Sequence, residues 1–428
     1  AGSRLNLFDD YTPTSVPHFR HISFFAHAEY IAEGRATPAQ VQFDVARIDH
    51  FMSGPTARLK ALVPGVTNAP YAIALTLPIP AYSNYPHALD VDFNDDMKAW
   101  YAVHRQYDIE TAFLHNADGT RKTVKIWYSG PENNRWILNP KDPGNIAYQS
   151  DRLRRYMQVG GTAADGIFLD EVGPLNFYTG STEYPKSPAG DSARRADLVR
   201  FMAALRAGLG PGKMLMINSA DYTDPFYVRL VGAAGATHKE FYNNPFTNGP
   251  QRWAAVDQMT ATGAIVEIAS PFTAADYAKR ADFPAGGYPS GLVRGRMLEL
   301  ASYYMIFTTP AQTWMWLWGG AAAPRDWLKA YEANLGAPAA ARSVLSSGVD
   351  AVGQGFQVWQ RPFQRGLVLV RPQLTAMPKP PQRYDDATAV SVSLPAGTTW
   401  HLLNADGSTT APVTAVTLRN AEAAILVK

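Results

Sequence analysis

The chain has 428 residues, of which 46% are hydrophobic and 18% charged, so it can bury a sizeable core and is not expected to be disordered. Its 39 basic and 37 acidic side chains leave a net charge of +2, and they are scattered, which excludes the concentrated basic surface that nucleic acids require. It contains no cysteine, which excludes disulfides, thiolate catalysis and cysteine-ligated metal centres.

No run of 18 or more apolar residues is present, so the sequence predicts no membrane span. The first residues, AGSRLNLFDDY, lack the charged start and apolar stretch of a signal peptide. Either such a peptide has been removed or there never was one. The small first residues favour removal, so we expect a secreted or periplasmic protein.

From about residue 18 to residue 320, short β-rich runs alternate with longer amphipathic runs. In chain order the candidate strands are His21–Phe25, Val41–Asp49, Tyr71–Leu77, Thr111–Asn116, Asp165–Glu171, Met214–Ala220, Ala236–Tyr242, Ala264–Ser270 and Thr313–Gly319. The clearest helix extends from Ser192 to Leu209, where apolar residues recur with the helical period. This alternation predicts βαβ units and a TIM (β/α)8 barrel over residues 1–340.

The sequence contains nine candidate strands, one more than an eight-stranded barrel needs. We expect the first, His21–Phe25, to be a cap or an extra strand. Residues 117–139 are β-rich and contain the turn pair Asp118-Gly119, which predicts a β-hairpin insertion. A doubly wound open sheet is the structural alternative. It is disfavoured because no G-x-G-x-x-G follows the first strand.

After residue 340 the composition changes to short β-rich runs separated by turn residues, and no helical run interrupts them. Such a pattern is typical of an all-β module. We therefore predict a C-terminal β-sandwich over residues 341–428.

One β-rich run ends in two adjacent carboxylates, Asp170 and Glu171, before Gly173-Pro174 breaks the strand. The carboxyl ends of barrel strands form the active-site face. Side chains alternate along a strand, so only one of the two acids can face inward. Asp170 shares the parity of Gly166 and Phe168, and we predict that it faces inward. The structural alternative is an acid that caps the strand end or forms an ion pair.

A second acid, Glu240, ends another β-rich run and is followed by Phe241, Tyr242 and Asn243. Desolvation by aromatic side chains raises the pKa of a carboxyl group, which suits a general acid. Tyr242 and Asn243 are natural hydrogen-bond partners for sugar hydroxyls. The structural alternative for Glu240 is a salt bridge to a nearby arginine.

Two further acids, Asp49 and Glu267, lie at or near the ends of predicted barrel strands, and His50 follows Asp49. Buried carboxylates are costly unless they are paired or used. Glycoside cleavage needs two carboxylates, one to protonate the leaving oxygen and one as nucleophile or base. We predict Asp49, Glu267 and His50 as substrate-binding residues of such a site.

Three tryptophans, Trp314, Trp316 and Trp318, share one face of the last predicted strand. They are either a packed stripe of the barrel wall or, for Trp318 nearest the mouth, a ring that stacks on a sugar. The nine histidines include no H-E-x-x-H, so no zinc site is predicted. The sequence also lacks the G-x-S-x-G elbow of serine hydrolases and the phosphate-binding P-loop, and we predict no cofactor.

Several segments follow one another in an order that resembles bacterial glycoside hydrolases of the barrel type: FDVARIDHF, LKALVPGV, YAIALTL, DGIFLDEVG and the ending from QVWQRPFQRGLVLVRP to AAILVK. The chain is also distantly similar to the polygalactosaminidase-like family 114, in which an Asp and a Glu two strands later form the catalytic pair. This resemblance implies Asp170 and Glu240 as the pair. Glu171 stands where family 114 usually has Asn, which leaves Asp170 and Glu171 as alternatives for the working acid.

Together these features predict a glycoside hydrolase that cleaves O-glycosidic bonds of a polysaccharide or oligosaccharide. The alternative from another class is a non-catalytic carbohydrate-binding protein on a degenerate barrel. A third possibility, a structural or adhesin-like surface protein, does not explain several acids at strand ends.

Overall fold

Strands and helices alternate along most of the chain. The computed structural model describes residues 22–23, 50–52, 57, 60–61, 65–79, 88–125, 134–158, 163–172, 178–218, 224–239, 249–270, 290–317, 328–373 and 385–428. The strands up to residue 317 are β1 (Ile22–Ser23), β2 (His50–Phe51), β3 (Thr67–Asn68), β4 (Tyr71–Ile73), β5 (Thr76–Pro78), β6 (Thr123–Lys125), β7 (Asn134–Ile137), β8 (Gly166–Asp170), β9 (Met214–Asn218), β10 (Gly235–Lys239), β11 (Ile265–Ser270) and β12 (Thr313–Leu317).

The described helices are α1 (Ala88–Val103), α2 (Pro143–Tyr156), α3 (Pro188–Leu209), α4 (Pro225–Ala234), α5 (Gly249–Ala261) and α6 (Ser290–Ile306). The predicted helix is part of α3, which begins at Pro188 and is capped by the Ser187 side chain. The helix ends at Leu209. The next residue, Gly210, has a φ of 96°, a backbone conformation that glycine adopts readily. No helix in the described ranges is long and apolar enough to cross a membrane.

Eight parallel strands form a ring. β4, β8, β9, β10, β11, β12 and β1 are neighbours, in that order, in one sheet. β2 pairs in parallel with β3 and also lies against β1. β3 continues into β4, because the Asp165 N–H donates to Asn68 O at 2.9 Å and the Phe168 N–H donates to Pro70 O at 3.0 Å. Counting β3 and β4 as one strand, the ring is the predicted (β/α)8 barrel, which is confirmed.

The prediction that the first β-rich run, His21–Phe25, is a cap or an extra strand was wrong. Ile22 and Ser23 pair with Met315 and Trp316, so the first run belongs to the barrel. The surplus candidate is instead the run 111–116, which begins in a 3-10 turn and makes only isolated antiparallel bridges. Both runs are β-rich, and composition does not distinguish a barrel strand from the strand of an insertion.

The insertion between β4 and α2 contains an antiparallel sheet in the order β5-β7-β6. Thr123 of β6 pairs with Trp136 of β7, within the residues predicted to form a hairpin. Gly119, with a φ of 81°, donates its N–H to Asn116 O in the turn before β6. Residues 126–133, between the two strands, lie outside the described ranges.

The C-terminal strands are β13 (Ser343–Val349), β14 (Gly355–Phe363), β15 (Gly366–Arg371), β16 (Val390–Ser393), β17 (Trp400–Leu403), β18 (Thr409–Val413), β19 (Ala415–Leu418) and β20 (Glu422–Val427). Six of them form an antiparallel sheet in the order β13-β14-β15-β20-β17-β18, and β16 pairs with β19. Val392 and Val416 of the smaller sheet share a buried cluster with Leu369 and Leu426 of the larger one. The predicted all-β sandwich is confirmed.

The sandwich packs against α6 of the barrel through a continuous apolar core. The rings of Tyr304 and Phe363 lie 5.3 Å apart at this contact. Arg361 donates to the carbonyl oxygens of Tyr304 and Met305, both at 2.8 Å, near the end of α6. Burial and the nearby Arg342 charge lower the pKa of Arg361 to about 10. The boundary at residue 340 stays a prediction.

Candidate active site

Side chains of β8 alternate between the inside and the outside of the barrel. Phe168 lies inside, in a buried cluster with residues of the other strands: Met52, Ala69, Met216, Ala236, Trp314 and Trp316. Ile167 and Leu169 belong to the core that the barrel shares with its helices. Asp170, the last residue of β8, has the parity of Phe168 and therefore faces the interior at the carboxyl end of the strand.

Three donors fix the orientation of the Asp170 carboxylate. The Tyr71 hydroxyl donates to Oδ2 at 3.0 Å, and the Asn218 amide donates to Oδ1 at 2.9 Å. The backbone N–H of Glu171 also donates to Oδ1, at 2.8 Å. These three hydrogen bonds hold both oxygens of Asp170 in place.

Glu171, the neighbouring acid, is held away from the barrel interior. Its φ of 60° is in the left-handed region, which turns the chain at the end of β8. Its Oε2 accepts a hydrogen bond from the Thr76 hydroxyl and forms a 3.2 Å ion pair with Arg135 of the insertion.

Glu267 lies in the middle of β11, and its side chain is fully buried. Its Oε2 is 2.6 Å from His238 Nδ1, and its Oε1 is 3.3 Å from His50 Nδ1. Burial raises the pKa of Glu267, but the hydrogen bonds and charges of His238 and His50 outweigh that effect and hold the pKa at about 2. Glu267 is therefore ionised at neutral pH.

Aromatic rings surround the two histidines inside the barrel. The His50 ring lies 5.1 Å from that of Trp314. The His238 ring contacts Phe168 at 5.3 Å and Trp316 at 4.8 Å, both edge to face. Trp314 and Trp316 are thus a packed interior stripe, which is one of the two predicted alternatives for the tryptophans.

The family described as "Hypothetical glycosyl hydrolase family 15" matches residues 79–367, which include β8, β9, β10 and β11. The chain belongs to this family. A search of curated proteins finds no match. The matched family is not family 114, so the distant similarity to family 114 stays a prediction.

The fold of this member of the hypothetical glycosyl hydrolase family is similar to the folds of three solved structures. One is an α-amylase from Lactobacillus plantarum, 11% identical, with a TM-score of 0.45 over 95% of this chain and 98% of that chain. Another is an α-amylase from Malbranchea cinnamomea, 10% identical, with a TM-score of 0.46 over 97% of each chain. The third is the GH36 α-galactosidase AgaA from Geobacillus stearothermophilus, 9% identical, with a TM-score of 0.44 over 95% of this chain and 55% of that chain.

Of the site residues predicted for this family 15 member, Asp170, Glu171, Glu267 and His50 lie in the described part of the chain. The structure brings Glu267 and His50 into contact and separates Glu171 from the interior. The remaining predicted residues lie outside the described ranges and stay predictions: Asp49, Glu240, Tyr242, Asn243 and Trp318.

Two residues of the site, Tyr71 and Asn218, were not predicted, and His238 was considered only as one of four histidines on or beside strands that could line the cleft. Asn218 carries a usable signal, because it is the polar residue that ends the buried run of β9, as Asp170 does on β8. Tyr71 begins its strand, and nothing in the sequence indicates that it contacts a residue 99 positions away. Nothing in the sequence distinguishes His238 from the other three, which are His21, His50 and His115.

A cavity of about 630 Å³ lies between the insertion and α3, and its lining includes five acids: Asp108, Glu110, Asp142, Glu183 and Asp197. His115 lies 2.9 Å from Glu183 Oε1 and 3.3 Å from Glu110 Oε1. Asp142 and Asp197 accept hydrogen bonds from Thr111 and Tyr184. These contacts join the insertion to the segment before α3, and that segment to α3 itself. Among the described residues, no group of three or more His, Cys, Asp or Glu side chains could hold a metal ion.

Proposed function

We propose that this member of the hypothetical glycosyl hydrolase family is a glycosidase that hydrolyses O-glycosidic bonds of a polysaccharide or oligosaccharide. The observation that carries the proposal is Asp170, an inward-facing carboxylate at the carboxyl end of a barrel strand, with both oxygens oriented by donors. Membership of a glycosyl hydrolase family supports carbohydrate hydrolysis in general.

The second carboxylate of the proposed pair is Glu240. It follows Lys239, the last described residue of β10, two strands away from Asp170. Neighbouring strands are about 4.8 Å apart, so two strands separate the backbones by about 10 Å. The two carboxylates are about 5 Å apart in retaining glycosidases and about 6.5–9.5 Å apart in inverting ones, so the anomer that forms first reports their separation.

Asp170, rather than Glu171, is our choice for the working acid at the end of β8. The Glu171 carboxylate is compensated by the Arg135 guanidinium, and these side chains are only 10% and 3% exposed. An acid held in this way supports the insertion against the barrel. Within the described residues, the donors to Asp170 are two neutral side chains and a backbone N–H, with no cation among them.

In the proposed reaction, Glu240 donates its proton to the glycosidic oxygen as the bond from that oxygen to the anomeric carbon breaks. Asp170 stabilises the positive charge that develops at the anomeric carbon, through its own charge or by bonding to that carbon. A water then delivers its hydroxyl to the anomeric carbon and its proton to the carboxylate that acts as base. We propose Tyr242, Asn243 and Trp318 as sugar contacts and Asp49 as a further substrate-binding acid.

The test is a panel of purified neutral, acidic and amino-sugar polysaccharides incubated with the full chain. We expect new reducing ends from at least one polymer, and NMR of the first-formed anomers then assigns retention or inversion. Glu171→Gln serves as the matched active control for the working-acid assignment. Saturable binding of a polysaccharide with no release of reducing ends would overturn the proposal in favour of a carbohydrate-binding protein.

A further inference from the structure

Four polar residues occupy neighbouring strands of the barrel wall: Asp170 on β8, Asn218 on β9, His238 on β10 and Glu267 on β11. His238 is the register partner of both Asn218 and Glu267, and Leu169 pairs with Ile217 one position before Asp170 and Asn218. Hydrogen bonds join the first two residues at 2.9 Å and the last two at 2.6 Å. The row runs from the proposed reacting carboxylate to a carboxylate buried in the interior.

Glu267 requires an explanation because it is fully buried and cannot contact a sugar at the mouth in this conformation. Burying a carboxylate costs several kcal/mol unless it is paired. Its ionised oxygens can only accept hydrogen bonds, so each facing imidazole must carry its hydrogen on Nδ1. Glu267 therefore keeps a hydrogen on Nδ1 of His238 and of His50.

The His238 ring is also fixed in its plane by its neighbours. Phe168 and Trp316 meet it edge to face, at interplanar angles of 77° and 83°. Phe168 lies two residues before Asp170 on the same inward face of β8. A change in the orientation of His238 would thus disturb the Phe168 ring, and His238 is also the register partner of Asn218, which donates to Asp170.

We propose that Glu267 and His238 are positioning residues for Asp170: Glu267 keeps a hydrogen on Nδ1 of His238, and the fixed ring packs against Phe168 and lies on the strand beside Asn218. His50 is the second donor that keeps the Glu267 carboxylate from rotating. This inference rests on the proposed function, and it gives Glu267 and His50 an indirect role in place of sugar contact.

The first measurement is the ¹⁵N spectrum of the histidine side chains in the full chain, with the His238 signals assigned from their loss in His238→Gln. We expect hydrogen on Nδ1 of His238 in the wild-type protein and altered ring-nitrogen signals in Glu267→Gln, whose amide can donate as well as accept. A wild-type His238 with its hydrogen on Nε2 alone overturns the inference, even if the Gln variant does not fold.

The second measurement is turnover on a polysaccharide that the wild-type enzyme hydrolyses. We expect Glu267→Gln to lower kcat by about 10- to 100-fold, because a shift of about 1 Å in a reacting group can cost about 100-fold. KM should stay near the wild-type value because Glu267 does not contact substrate. An unchanged kcat, or a loss confined to KM, contradicts a positioning role.

Glu183→Gln is the matched control, because Glu183 Oε1 faces His115 Nδ1 at 2.9 Å outside the barrel. It should alter the His115 signals and leave kcat and KM unchanged. An equal loss of kcat in this variant would show a non-specific effect and overturn the inference. Failure of the proposed function would appear as no hydrolysis by the wild-type protein or as full activity of Asp170→Asn. Failure of this inference alone would appear as an active wild-type enzyme, an inactive Asp170→Asn variant and a fully active Glu267→Gln variant.

Discussion

Two acids that follow one another in the chain, Asp170 and Glu171, have different surroundings because β-strand side chains alternate and the backbone turns at Glu171. Asp170 accepts hydrogen bonds from neutral side chains, whereas Glu171 forms an ion pair with Arg135. No cation among the described residues contacts Asp170, which is why we propose it, rather than Glu171, as the working acid. This separation is the residue-scale basis for assigning them different roles.

Glu171→Gln should lower stability and largely spare catalysis. The amide keeps the shape but loses the charge that faces Arg135, and a hydrogen bond to a charged group contributes about 1.5–3 kcal/mol. We expect the free energy of unfolding in urea to fall by about that amount, while kcat stays close to wild type. A loss of kcat by orders of magnitude at unchanged stability would make Glu171 the working acid.

Glu267 should make stability depend on acid pH. Its pKa in the folded protein is held at about 2, below its ordinary value of 4.5, by the hydrogen bonds of His238 and His50 against the effect of burial. Its contribution is therefore complete above about pH 4.5 and is lost as the pH falls from 4.5 towards 2. Urea unfolding at several pH values should show the wild-type advantage over Glu267→Gln shrinking in that window. A difference that is constant down to pH 2 would contradict this assignment.

At the scale of elements, the insertion is joined to the barrel through helix ends and strand ends. Asp142 caps α2 by accepting the Asn145 N–H at 2.7 Å, and its other oxygen accepts the Thr111 hydroxyl at 2.8 Å. The same side chain thus begins a barrel helix and holds the insertion. On the other side, Arg135 of β7 reaches Glu171 at the end of β8.

Asp142→Ala should destabilise the fold by about 1–2 kcal/mol, because the first turn of α2 loses its cap and Thr111 loses its acceptor. Asp142→Asn keeps an acceptor for the helix and serves as the matched control, with a smaller loss. Thermal or urea unfolding gives both values. A change within about 0.5 kcal/mol in the Ala variant, as for an ordinary surface position, would contradict the capping role.

Much of the element pattern was predictable from the sequence, because helix α3 and the buried strands follow their hydrophobic periods. The error lay in choosing which β-rich run to leave out of the barrel. Ile22 and Ser23 pair with the last barrel strand, a partner almost 300 residues away that no local pattern indicates. Phe113 is as apolar as a barrel residue but packs within the insertion.

At the scale of the whole molecule, one apolar core extends from the barrel helices into the sandwich. Tyr304 of α6 and Phe363 of β14 belong to the same buried cluster, and Arg361 hydrogen-bonds the carbonyls near the end of α6. The sandwich therefore covers α6 of the barrel. Neither part is expected to keep its native stability when the other unfolds.

Calorimetry of the full chain should accordingly show one cooperative transition. Arg361→Met leaves the Tyr304 and Met305 carbonyls without this donor and should lower that single transition temperature. Lys428→Met is a control, since Lys428 makes an exposed hydrogen bond at the chain end. Two well-separated transitions in the wild-type protein would contradict a shared core.

The site was only partly predictable, because some of its contacts join residues that are far apart in the chain. The position of Asp170 follows from strand alternation, which is local. The burial of Glu267 follows from contacts with His50, 217 residues away, and with His238, which are set only when the barrel closes. A charged residue in a strand looks the same in sequence whether it faces the mouth or the interior.

The most direct test of the account compares Asp170→Asn with Asp165→Asn on a polysaccharide that the wild-type enzyme hydrolyses. Asp165 precedes the same strand at its other end, where it pairs with Lys60 at 2.9 Å. We predict that Asp170→Asn lowers kcat by at least about a thousandfold with folding intact, as removal of a reacting group does, and that Asp165→Asn retains wild-type-like kcat. Wild-type-like kcat in a folded Asp170→Asn enzyme would contradict the account.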